Sequence, residues 1–247
     1  MNSFGNLNDL EIIVEYENNH RLNDYSLQLA NANFKKCEVY FKNLETKLVS
    51  KIHAFRDGAI FGCVAWLTSP KILEALAECK HVQIVVQKED FLKPDLDSTE
   101  SNDWQIRIKR LYEKLKCDLI QFEFRKPICE LSICGELGVE PVRCVGNYNF
   151  EKRPAFPRSH HKFLVFCKLN KPSSRFTYEP IAAWTGSFNF SLSGTRSFEN
   201  AIYLEASNGY HPVMNAYLNE HHQIFALSES LDWGTEWTAA PQYRIGT

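Results

Sequence analysis

Two rhythms of apolar residues alternate along this chain. Between 44 and 54, Leu44, Leu48, Val49 and Ile52 recur at the interval of a helix with one buried face. Arg56-Asp57-Gly58 interrupts that pattern. Ala59 to Leu67 then forms an almost unbroken apolar run, the mark of a strand covered on both faces. Thr68-Ser69-Pro70 joins a hydroxyl suited to a helix cap with a proline suited to the first turn, predicting a helix through Ile72, Leu73, Leu76 and Ala77. His81 to Val86 reads as another strand. The unit 59–87 is therefore strand–helix–strand, which calls for parallel strands joined by a right-handed crossover.

Downstream, Leu92 to Asn102 is polar and reads as an exposed loop, while Asp103 to Lys116 returns to helical spacing with Trp104, Ile108, Leu111 and Leu115 on one face. Arg107, Lys109, Arg110, Lys114 and Lys116 lie mostly off that face, as a solvated surface or as a nucleic-acid contact. Strands are expected at 118–124, 141–145, 162–168, 181–185 and 200–205. A helix is expected from Gly209 to Leu227, and an irregular tail beyond it. There is no internal repeat and no low-complexity linker. The pattern predicts one α/β domain over 1–247, with a core at about 44–206 and a C-terminal helix and tail at 207–247.

Composition narrows the picture only a little. The chain has 247 residues, 44% of them hydrophobic and 23% charged, with a formal net charge of −2. Such a chain builds a sizeable core without staples, and any polyanion must be met by a local patch rather than by overall charge. Met1 to Glu11 carries no apolar run of the secretory kind, and no stretch approaches the roughly 18 apolar residues that span a bilayer. A cytoplasmic protein with no stable membrane association is the expectation. The eight cysteines, at 37, 63, 79, 117, 129, 134, 144 and 167, include no CxxC pair. Cys117, Cys129, Cys134 and Cys144 fit no common zinc spacing, so free buried thiols and no bound metal are expected.

The chemistry concentrates in Ser159-His160-His161-Lys162, followed downstream by Gly186-Ser187-Phe188-Asn189 and Ser197-Phe198-Glu199-Asn200. His160 and Lys162 are two apart at the start of an apolar strand, so their side chains share a face. A nucleophilic imidazole beside a fixed positive charge suits a phosphate. Gly186-Ser187 ends a second apolar strand and brings a permissive backbone and a hydroxyl. Asn189 offers amide donors to phosphoryl oxygens, and Glu199 is an acid able to hold an imidazole in one tautomer. On the residues alone, His161 is as good a candidate for the functional histidine as His160.

Together, His160-x-Lys162 and Gly186-Ser187-x-Asn189, with Glu199 trailing, resemble the HxK and GSxN signature of the phospholipase D superfamily. The resemblance covers roughly 44–206, including the strand–helix–strand opening, and its register selects His160 over His161. It implies a mixed, largely parallel central sheet flanked by helices on both faces. Two features depart from the family pattern. Cys167 stands where the family usually has an aspartate five residues after the lysine, and Lys168 to Glu179 lengthens the gap before Gly186, read as a loop inserted between strands. Both read as divergence within an active lineage.

The family uses two such motifs, and this chain carries one, so the resemblance implies a homodimer with a shared active site. His160 would attack phosphorus to form a phosphohistidine, and His160 of a second copy would protonate the leaving oxygen. Lys162 and Asn189, with Ser187 assisting, would stabilise phosphoryl charge, and neither metal nor cofactor is implied. Substrate-binding roles are expected for Gly186, Lys152, Arg153 and Arg158. The last three belong to the basic segment Glu151 to Arg175, which also holds Lys168, Lys171 and Arg175 and favours a nucleic-acid substrate. Tyr148, Phe150 and Phe156 are candidates to stack on bases. A nuclease is the expected activity. A lipid phosphodiesterase or phosphatidyl transferase, and a degenerate phosphate-binding module, are the alternatives.

Overall fold

The computed structural model describes residues 11–12, 20–21, 34–89, 103–117, 121–124, 131–134, 140–147, 156–170, 177–207 and 211–231. The chain opens with a two-stranded ribbon, β1 (Glu11–Ile12) and β2 (His20–Arg21). It continues with β3 (Phe34–Tyr40), α1 (Leu44–Ala54), β4 (Ala59–Val64), α2 (Pro70–Ala77), β5 (His81–Gln87) and α3 (Asp103–Tyr112). A second ribbon, β6 (Gln121–Phe124) with β7 (Leu131–Cys134), precedes β8 (Val142–Val145), β9 (Lys162–Asn170), β10 (Thr177–Gly186), β11 (Ala201–Ala206) and α4 (Pro212–Leu227).

Seven strands form the central sheet in the order β3-β11-β10-β9-β4-β5-β8. β4 pairs β5, and β5 pairs β8, in parallel; the four pairings that involve β9 or β11 are antiparallel. Five strands thus point one way and two the other, giving a mixed sheet that is largely parallel in sense. β4 and β5 are buried along their whole lengths, as their unbroken apolar runs require. Gly62 is needed inside β4, because a Cβ there would lie 2.4 Å from Leu164 Cδ2 and 2.7 Å from the Phe163 carbonyl oxygen.

Helices cover both faces. Leu44, Leu48 and Ile52 of α1, Ile72, Leu73 and Leu76 of α2, and Ile108 and Leu111 of α3 share one core with Ile60, Val64, Leu164, Phe166 and Trp184. On the other face Met214 of α4 packs on Ala183, and His221 and His222 pack on Phe61. The Ser69 hydroxyl caps α2 by accepting from the Ile72 amide at 3.3 Å, with Pro70 in the first turn, as the sequence predicts. Buried Arg143 donates to Ser228 Oγ at 2.9 Å and to the Ser228 carbonyl at 2.8 Å, and Lys88 Nζ lies 2.5 Å from Glu229 Oε1. These contacts fasten the chain leaving α4 to the edge formed by β5 and β8.

The structure corrects several expectations. The segment 168–179 is not simply a loop: Lys168, Leu169 and Asn170 pair with Glu179, Tyr178 and Thr177 and extend the β9–β10 hairpin. Polar residues there satisfy their main chains in the ladder even though they bury little. β3 lies beyond the predicted core and was not expected, since an edge strand bearing Lys35, Lys36 and Glu38 lacks a run of apolar residues. The 118–124 strand pairs with β7 outside the main sheet. α3 ends at Tyr112, short of Lys116, and α4 starts at Pro212 rather than Gly209, where proline takes the first turn. The loop expected at 92–102 and the tail beyond 231 lie outside the described residues. Among the described residues no helix is long and apolar enough to cross a membrane.

The two enclosed histidines of α4 make stability depend on pH. Burial pushes the His221 imidazole down to about 3, and burial together with neighbouring His221 holds His222 well below its usual range. In the unfolded chain both titrate near ~6.5, so between there and about 3 the unfolded state binds protons that the fold refuses. Stability is therefore fully present above ~6.5 and is lost as the pH falls through that window, at up to about 1.4 kcal/mol per pH unit for each histidine. The urea midpoint is expected to fall between pH 7 and pH 5, and to fall less in His221→Leu.

Candidate functional site

The motif residues meet at one end of the sheet, in a single row across four strands. Val64 of β4 pairs with Lys162 of β9, Phe163 pairs with Thr185 of β10, and Gly186 pairs with Ala201 of β11. Antiparallel pairing sets Gly186 level with Lys162, and residues directly opposite one another share a face. Lys162 therefore lies on the side of Val64, Leu164 and Phe166, under α1 and α2. This rim is where β4, β5, β8 and β10 end, so the chains leaving those strands converge on it.

His160 and Lys162 touch. Lys162 Nζ lies 2.9 Å from His160 Nδ1 and donates to the His160 carbonyl oxygen at 2.8 Å. The lysine is 8% exposed and the histidine is exposed. Desolvation first, then the charges of Lys162, Arg158 and His161, hold the His160 imidazole below its ordinary value. Desolvation also lowers Lys162, with the carboxylate of Glu199 opposing it. A charged ammonium can only donate, so at rest Nδ1 is the acceptor and the proton of the neutral ring sits on Nε2.

Ser187 and Glu199 close the other side. The Ser187 hydroxyl donates to Glu199 Oε2 and accepts from the Asn200 main-chain amide at 3.0 Å and from Asn200 Nδ2 at 3.2 Å. Glu199 is thus bonded to the serine rather than to the imidazole, and bears on His160 through the charge of Lys162. Gly186, at φ +150, lies so close to β11 that a Cβ would sit 2.3 Å from the Asn200 carbonyl oxygen. Asn189 contributes its main-chain carbonyl to a turn at Ser191, at 2.7 Å. Its buried Oδ1 takes no hydrogen bond from any described residue.

The segment before His160 is tied down from β5. Arg158 donates to Glu89, Trp66 Nε1 donates to the same carboxylate at 3.1 Å, and the Ser159 amide donates to Gln87 Oε1 at 2.6 Å. His161 faces elsewhere, with Nε2 3.2 Å from Glu220 of α4. Cys167 is buried and pairs with Ala59 at the far end of β9, five residues and about 17 Å from Lys162, on the opposite face. Lys152, Arg153, Lys171, Arg175, Tyr148 and Phe150 lie outside the described residues; Phe156 is described and exposed. Among the described residues no cluster of His, Cys, Asp or Glu is arranged to hold a metal ion. Sequence reading missed Gln87, Glu89, Trp66 and Asn200. The polar residues that follow the apolar run of β5 were the available signal for the first two.

No family model matches the chain. Over 206 residues it is 31% identical to an uncharacterized protein, L381, of Acanthamoeba polyphaga mimivirus; the match takes in 78% of this chain and spans 66% of that protein's length. Among solved structures it is similar to a phospholipase D family member, Nuc from Salmonella typhimurium, with TM-score 0.46, 16% identity, and coverage of 78% of this chain and 96% of that one. It is similar also to NucT from Helicobacter pylori, with TM-score 0.48, 12% identity, and coverage of 79% and 99%. A third similarity is to polyphosphate kinase from Porphyromonas gingivalis, with TM-score 0.44, 11% identity, and coverage of 80% of this chain and 27% of that one.

The close approach at Gly186 sets a local test. In Gly186→Ala the new methyl meets the Asn200 carbonyl oxygen and Ala201 Cα, atoms of a paired backbone that cannot step aside. The variant is expected to lose about 1–3 kcal/mol of stability, read from urea unfolding.

Proposed function

We propose that this chain is a phosphodiesterase of the phospholipase D superfamily that cleaves nucleic acid through a phosphohistidine on His160, without a metal ion. One observation carries the reading: Lys162 Nζ stands 2.9 Å from His160 Nδ1, in a strand row that also holds Gly186 and the Ser187–Glu199 pair. These are the residues of the HxK and GSxN pattern, drawn from three strands of the sheet and the chain that enters and leaves them.

The steps follow from the geometry. An arriving phosphodiester offers Lys162 anionic oxygens, stronger acceptors than a neutral ring nitrogen, and so draws its ammonium away from His160. The imidazole then uses a ring lone pair on phosphorus: the N–P bond forms and the P–O bond to the leaving group breaks. Lys162 and the Nδ2 donors of Asn189 meet the growing negative charge, with Ser187 assisting. In the second step water attacks phosphorus, the N–P bond breaks, and the phosphate leaves.

Both steps need a second acid–base group, to protonate the leaving oxygen and then to take a proton from water. His161 is engaged with Glu220, so we assign the role to His160 of a second copy, in a homodimer whose twofold axis passes through the site. Leu192 and Phe198, large apolar side chains exposed on the loop that carries Asn189 and Glu199, suit such a contact. Cleavage of nucleic acid rather than lipid is favoured by the basic segment 151–175, which includes Arg158 beside His160, in a chain of net charge −2. Lys152 and Arg153 belong to that proposed contact. Activity at a cytoplasmic location is part of the same proposal.

In EDTA, the protein is expected to cut DNA or RNA and to leave anionic liposomes intact. His160→Ala is expected to lose about 10³-fold or more of that activity, and Lys162→Met about 10²–10³-fold. Cleavage retained in His160→Ala overturns the reading. Lipid turnover alone moves the substrate to the alternative class, and no turnover of either leaves a phosphate-binding module. Sedimentation of the wild-type protein as a monomer removes the shared site.

A further inference from the structure

At the end of β5, on the approach to His160, stands a carboxylate that the reaction outlined above does not use. Glu89 is 6% exposed, yet it is an acid in a region of apolar strands. It takes a hydrogen bond from Trp66 Nε1 at 3.1 Å and another from Arg158. A buried carboxylate is tolerated only when it is paired and bonded, and here the pairing draws together two separate segments: the chain leaving β4 and the one entering β9.

The surroundings make this a fixed platform. Gln87, 1% exposed, accepts from the Ser159 amide at 2.6 Å and donates from Nε2 to the carbonyl oxygens of Lys88 at 2.7 Å and Asn147 at 3.0 Å. The Asn147 amide donates to the Pro157 carbonyl at 2.9 Å, and its side chain to that of Phe156 at 3.2 Å. Gly146, at φ +80, makes room for this: a Cβ there would lie 2.8 Å from Gln87 Oε1. The main chain of 156–159 is therefore pinned residue by residue just before the nucleophile, while Arg158 is pinned through its side chain.

We propose that Glu89 is a positioning residue for His160, acting by holding the Arg158 guanidinium in a fixed place beside the imidazole. The inference rests on the reading of His160 as nucleophile, which gives the placement its purpose. The groups that bear on His160 are Lys162 and His161 from its own strand entry, Arg158 from the preceding segment, and Glu199 from the start of β11 through Lys162. Glu89 adds a negative charge behind Arg158 and so moderates its field.

The test is an NMR titration of the His160 ring, set beside kcat and KM. Glu89→Gln keeps the shape but removes the counter-charge; the His160 midpoint is expected to move down, with kcat falling about tenfold and KM changing less. Arg158→Gln removes the positive charge, and the midpoint is expected to move up. Mere loosening of the segment would expose the ring and move both variants upward. Shifts of the same sign, or no shift, overturn the inference. Should Glu89→Gln not fold, Glu89→Asp takes its place: it withdraws the carboxylate from Arg158, the midpoint is expected to move down, and an upward shift or none overturns the inference. His160→Ala serves as the separate control: cleavage that survives it defeats the functional reading, whereas opposite midpoint shifts with such cleavage leave the placement standing without its catalytic purpose.

Discussion

A lysine ammonium and a histidine ring held 2.9 Å apart cannot both carry charge at little cost. At an effective dielectric near ~20, two unit charges at such a distance repel by about 6 kcal/mol. The ring yields, because an imidazole releases its proton some four pH units before an ammonium does. Burial works in the same direction on both groups, and Glu199 restores part of the lysine's charge. The resting pair is thus a neutral base beside a cation, the division of charge that the proposed reaction requires.

Holding that pair together is the task of the sheet. Lys162 sits in a row fixed on one side by Val64 of a completely buried strand and on the other by the close contact of Gly186 with β11. Its side chain cannot retreat into solvent without leaving the row. The alternation of a strand then explains why two adjacent histidines differ in partner: His160 shares the face of Lys162, whereas His161 turns to the opposite face and meets Glu220 of α4. The same alternation disposes of Cys167. An odd number of residues from Lys162 and paired with Ala59 at the start of β4, it turns to the opposite face, where burial pushes its thiol well above the usual range.

Much of this was legible in the residues. Continuous apolar runs gave away β4 and β5, a hydroxyl before proline marked the start of α2, and the two-residue spacing of His160 and Lys162 placed both on one face. What stayed hidden shares a physical character. β3 and the extended β9–β10 hairpin are held by main-chain pairing, and main-chain bonds leave little trace in side-chain patterning. Glu89 and Gln87 read as ordinary polar residues after a strand. Only the folded chain brings Trp66, Arg158 and Ser159 around them. The link between Ser187 and Glu199 was equally invisible, since the acid's expected partner was the imidazole.

The charges at the rim of this overall acidic chain are arranged as pairs. Each cation near His160 has an internal acid behind it: Arg158 has Glu89, and Lys162 has the field of Glu199. Such pairing lowers the cost of holding each cation where it is partly withdrawn from water. Glu89 is buried and bonded from two sides, and the Glu199 carboxylate takes the Ser187 hydroxyl, so each acid is held by hydrogen bonds of its own. In the reaction proposed above, the acids, already bonded, lower the cost of keeping those charges in place while a phosphate displaces water.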